Sequence, residues 1–136
     1  MPDKLERQLQ PFHDSPDAML CLCRVCDFWS PDIPEHARRP GILAPQFRPG
    51  QAGTWLARRE VFERVGRFST SSNYNFAEGS ELYSRIQSSG LRVVRIEDVL
   101  VERRLHASNK TTNTEAHMDG IMALMKRRLD LRRQSA

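Results

Sequence analysis

At 136 residues the chain has room for one domain, able to bury roughly two-thirds of its unfolded surface. Hydrophobic residues make up 39% and charged residues 28%, with no apolar run of membrane-spanning length and no leader-like opening, so a soluble, cytoplasmic protein without a transmembrane segment is expected. The net charge is +4, and the three cysteines crowd at positions 21, 23 and 26, which excludes a secreted disulfide framework.

"MPDKLERQLQPF" reads as a helix: Pro2 and Asp3 suit its first turn, and Leu5 and Leu9 share a face. Pro11 and Pro16 are expected to bracket the turn that follows. "AMLCLCRVCDFW" alternates moderately and predicts a strand over Ala18 to Phe28. On a strand Cys21 and Cys23 face one side and Cys26 the other. No second Cys/His pair stands at zinc-finger spacing, so buried reduced thiols are expected rather than a metal centre. Residues 30 to 53 are rich in proline and glycine and predict a long irregular loop.

A short extended piece at Thr54 to Ala57 leads into a helix ending at Val65. Val61, Phe62 and Val65 form its apolar stripe and Gly66 its stop. The next helix runs from Gly79 or Ser80 to Ser88, turning Leu82, Ile86 and Tyr83 inward, and Gly90 closes it. "LRVVRI" and "DVLVERRLH" predict two strands, the second with Val99, Val101 and Arg103 on one face and Leu100 and Glu102 on the other. A polar connection, "ASNKTTNTEA", supplies Thr114 as a helix cap. The last helix reaches about Arg133, and its stripe of Met118, Ile121, Met122, Met125 and Leu129 is expected to pack in the core. Its basic end, "KRRLDLRR", suits phosphates or an anionic membrane surface, or simply offsets the helix dipole. No aromatic residue interleaves these arginines, and no nucleic-acid partner is expected.

Taken in order, "GTWLARREVFERVGRF", "AEGSELYSR" and "GLRVVRIEDVLVERRLHASN" resemble the acceptor-side half of an inverting, family-two glycosyltransferase of the GT-A fold. The matching positions are Val65, Gly66 and Phe68; Glu78; Arg85; Gly90; and Arg104 with His106. "MPDKLERQL" is similar to the segment that follows the metal-binding Asp-x-Asp motif in such enzymes. The resemblance implies an α/β fold, a partial GT-A (Rossmann-like) domain over residues 1–136 with few strands and about four helices. It implies transfer of a sugar from a nucleotide-sugar donor to a glycan or other hydroxyl acceptor. The parent family uses a divalent cation, magnesium or manganese. Here no Asp-x-Asp motif occurs, so no tight cation binding is expected. A truncated, weakly active or inactive chain follows, one that self-associates or takes its missing half from a partner. The alternative is a non-catalytic binding module using the basic last helix or an exposed sheet edge.

The resemblance also assigns roles. The general base of the family would fall at position 79, which is glycine here. Glu78 and Glu81, each within one helical turn, are the candidate replacements; equally, both suit a helix start without any catalytic role. Restoring an acid by Gly79→Asp is expected to be mild for folding, because aspartate is welcome at a helix start. Trp55 is a candidate platform for an acceptor sugar or a core residue. Arg104, His106 and Asn109 are candidates for the donor phosphates, against the alternative of a charged strand edge and a hydrogen-bonded turn.

Overall fold

The first helix, α1 (Lys4–Asp14), meets the sheet through a polar residue. The structure is a computed structural model that describes residues 1–38, 43–74, 76–109 and 114–134. Parts of the expected loop at 30–53 and of the polar connection, Asn75, and the capping side chain of Thr114 lie outside the described residues. Leu5 and Leu9 do share a face of α1, but they are 59% and 48% exposed, whereas Gln8 is fully buried. The reason is hydrogen bonding. The Gln8 amide donates to the carbonyls of Cys21 (3.1 Å) and Thr54 (2.9 Å), and Lys4 donates to Gln8 Oε1 (2.5 Å). Two buried carbonyls from distant segments, both accepting from the Gln8 amide, fix which face turns inward. Pro11, expected in the turn, lies inside the helix, and its carbonyl accepts the Ser15 amide.

The central strand β1 (Ala18–Trp29) runs almost as its alternation predicts. Leu20 and Leu22 face one layer, while Cys21, Cys23 and Val25 face the other, all buried. β2 (Trp55–Ala57) pairs antiparallel with β1, Leu22 opposite Trp55. On the other side β1 pairs parallel with β3 (Arg92–Leu105), from Ala18 opposite Arg92 to Trp29 opposite Leu105. The strand order is β2-β1-β3. β3 is one strand where two were expected. Its register against β1 shifts between Leu22 and Arg24, where Arg95 and Val99 become successive partners. The intervening residues bulge out, which is where the sequence pattern broke.

Helices α2 (Arg59–Val65) and α3 (Glu78–Ser88) cover the Leu20 face. Gly66, at φ +80° and ψ 179°, ends α2 in a positive-φ extended conformation that glycine adopts without strain. Leu20, Leu22, Trp55, Val61, Leu82, Tyr83, Ile86 and Leu91 form the core. Fully burying side chains of this kind contributes about 1.5–3 kcal/mol each.

The last helix, α4 (Thr114–Gln134), corrects an expectation. Met118, Met122, Met125 and Leu129 are all more than half exposed rather than packed. The packing face is instead the one that carries buried Gly120, with His117 Nδ1 donating to the Phe76 carbonyl (2.9 Å). The described residues thus form a mixed α/β unit of four α-helices and a three-stranded mixed sheet. No helix among them is long and apolar enough to cross a membrane.

Candidate functional site

The start of α3 explains the glycine between two acids. A Cβ at Gly79 would be driven into the carbonyl oxygen of Gly50, with the Gly50 carbonyl carbon 2.9 Å away. A Cβ at Gly50 would in turn collide with the Ser80 hydroxyl. The loop before β2 and the first turn of α3 therefore touch backbone to backbone, and two glycines permit it. The expected mildness of Gly79→Asp is overturned: the obstacle is backbone, which cannot swing aside.

Glu78 turns back on its own helix start. Its Oε1 accepts the Phe76 amide (3.2 Å), in the manner of an acid satisfying an orphan helix-start donor. Phe76 itself holds φ +62°, a conformation disfavoured for a bulky side chain. Its carbonyl meets His117 of α4 at 2.9 Å, so both backbone groups of this residue are engaged.

Glu81 has a different setting. Its side chain is 2% exposed, and its carboxylate receives the Arg85 guanidinium through Nε (2.9 and 3.1 Å) and Nη2 (2.8 Å). Arg127 of α4 adds a bond to Oε1 at 3.0 Å. Arg85 also donates to the carbonyls of Val65 and Arg67. One carboxylate thereby links α3, the end of α2 and α4. A groove of about 310 Å³ opens beside it, lined among others by Arg64, Ser84, Arg85, Arg127 and Arg128.

Arg104, His106 and Asn109 gather elsewhere, at the carboxyl ends of the parallel strands. The Ser30 amide donates to the Leu105 carbonyl (2.9 Å), holding the exits of β1 and β3 side by side. Asn109 Oδ1 accepts the His106 amide (2.6 Å), its Nδ2 donates to the Arg104 carbonyl (3.3 Å), and His106 Nδ1 meets the Ser108 hydroxyl (2.9 Å). Facing them is Asp32. The Ser30 hydroxyl bonded to it, its own amide, and the charges of Arg104 and His106 hold its carboxyl below the usual range. Arg104 is exposed, whereas Arg103 turns inward as the strand alternation predicts.

Trp55 is enclosed. It is 9% exposed, lies 6.2 Å from both Phe68 and Tyr83 by ring centroids, and donates through Nε1 to the Pro49 carbonyl (2.9 Å). That places it in the core rather than on an open sugar platform.

Three features escaped the sequence reading: Gln8, the Gly50–Gly79 contact and Asp27. Asp27 is 3% exposed and bound by Arg103 (2.9 Å at each oxygen) and Arg48 (2.5 Å). A lone carboxylate inside the apolar run "VCDFW" was its signal, because an aspartate is almost never buried unpaired. No group of three His, Cys, Asp or Glu side chains that could hold a metal ion occurs among the described residues. No family model, curated protein or solved structure matches the chain.

Proposed function

We propose that the chain is the acceptor-side portion of a family-two-like, GT-A-type glycosyltransferase, working with a donor-binding portion that supplies the cation. The observation that carries this reading is the parallel β1–β3 pair, whose carboxyl ends bring Arg104 and His106 beside Asp32. In parallel α/β sheets ligands bind outside the carboxyl ends of the strands. The order of strand, helix beginning at Glu78, and parallel strand ending at Leu105, one residue before His106, also agrees with the resemblance.

In this reading Arg104 presents positive charge to a nucleotide diphosphate, and the Asn109-braced turn sets the direction of His106. Glu78 is the candidate base, since Glu81 is engaged by two guanidinium groups. To act, Glu78 would release the Phe76 amide and accept the acceptor hydroxyl proton as the acceptor oxygen bonds to the sugar's anomeric carbon and the nucleoside diphosphate departs from the opposite face with the electron pair of the broken bond. No step is assigned to a metal on this chain.

The test is transfer by the chain joined to a donor-binding segment, in one polypeptide or mixed. Glu78→Gln should lower transfer about 100-fold or more while leaving donor binding intact. Arg104→Ala should weaken donor binding. Unchanged transfer in both variants sinks the assignment.

A further inference from the structure

α4 has one face that packs and one that no described residue covers. Arg127 bonds Glu81 and lies near the Tyr74 hydroxyl (3.4 Å), and His117 meets Phe76, which together fix the rotation of the helix. On the outward side stand Met118, Met122, Met125 and Leu129, 52%, 59%, 55% and 53% exposed. Their spacing of four, three and four residues makes one continuous stripe. At about 100° per residue, Lys126 and Arg133 flank that stripe on one side, joined at the start of the helix by Glu115, and Arg128 and Arg132 flank it on the other. Asp119 and Asp130 lie farther round, toward the packed side.

We infer that α4 docks flat on an anionic lipid surface, its methionine stripe in the headgroup boundary and its flanking cations on lipid phosphates. α4 has 21 residues but is not apolar enough to cross the bilayer, so it lies in the surface plane. Charge complementarity selects this occupant. A second copy laid parallel and face to face would set cationic flanks against cationic flanks, and a nucleic acid would leave the methionines in water. Methionine, unbranched and adaptable, suits an irregular, fluid partner. The inference does not rest on the transferase reading, and Glu78→Gln should leave docking unchanged.

The test is co-sedimentation of the whole chain with vesicles of phosphatidylcholine mixed with phosphatidylglycerol, and with vesicles of phosphatidylcholine alone. Binding is expected to the mixed vesicles, weakening as salt rises. Met122→Glu combined with Met125→Glu should reduce it about tenfold or more, as should Arg132→Glu with Arg133→Glu. All four positions are exposed, so circular dichroism should show the variants folded. Equal binding to neutral vesicles, no binding to either, or insensitivity to these substitutions overturns the proposal. So does a concentration-dependent dimer that the methionine substitutions abolish while vesicles are ignored; the stripe would then belong to a second copy.

Discussion

Gly79 shows how a single residue can carry two readings that only packing separates. Aligned by motif it is a missing base; in space it is the point where a loop carbonyl rests on a helix. Gly79→Ala should destabilise by about 2–3 kcal/mol, the usual size of an overpacking penalty, and lower the melting temperature by roughly 5–10 °C. Gly53→Ala is the control: nothing lies within 4 Å of its added Cβ, and thermal melts should differ by less than about 1 kcal/mol either way. Equal melting of the two variants would remove the close-approach account. The thiols offer a second residue-scale check. Burial pushes the Cys21 thiol up to about 11 and raises Cys23 as well, while Cys26 is only partly covered. At pH 8 the thiolate fraction of Cys21 is therefore about one in a thousand. Alkylation followed by mass spectrometry should mark Cys26 first, with Cys21 and Cys23 reacting after unfolding. The alternation that set these cysteines on opposite faces was legible in the sequence. The inward turn of Gln8 was not, because its partners are backbone carbonyls from distant segments.

At the scale of elements, the sequence revealed strands and helices wherever local pattern and burial agree. β1, α2 and α3 are of this kind, each with apolar residues on the face that packs. The pattern misled where an apolar stripe has no described neighbour. α1 and α4 both expose theirs, and both dock through polar bonds that no periodicity announces. The Glu81 clamp is the clearest case. It joins a residue early in α3 to one late in α4, across 46 positions of sequence. Glu81→Gln would leave two guanidinium groups facing a neutral amide. Both arginines reach solvent, so the cost should be moderate, about 1–3 kcal/mol. It should appear as hydrogen exchange that accelerates in α4 while β1 keeps its protection. Uniform acceleration across the chain would instead mean that α4 belongs to the same cooperative unit as the sheet.

For the molecule as a whole, the question is whether its positive charge can hold a nucleotide-sugar donor without help. Most arginines near the described clusters already have carboxylate partners. Arg48 and Arg103 neutralise Asp27, Arg85 and Arg127 neutralise Glu81, Arg92 pairs with Asp17, and Arg24 with Glu97. Arg104 remains exposed at the strand ends, and Asp32 stands opposite it to oppose an incoming diphosphate. Apart from the Glu81–Arg85 pair, four residues apart in α3, this pairing of charges was not legible in the sequence, since the partners come from different segments. The donor's two phosphates need a cation or several convergent guanidinium groups; the arginines that converge at the groove beside α3 include Arg85 and Arg127, both already bound to Glu81, and no group of three metal-ligating side chains occurs among the described residues. Isothermal titration of the chain with a uridine diphosphate sugar should therefore give a dissociation constant weaker than about 1 mM, roughly 4 kcal/mol of binding, and manganese should not improve it. Asp32→Asn should strengthen the residual affinity by removing the opposing charge, and the gain should shrink as salt screens it. A low-micromolar constant that depends on manganese would mean that a complete donor site exists on this chain. The division of labour proposed for it would then be wrong.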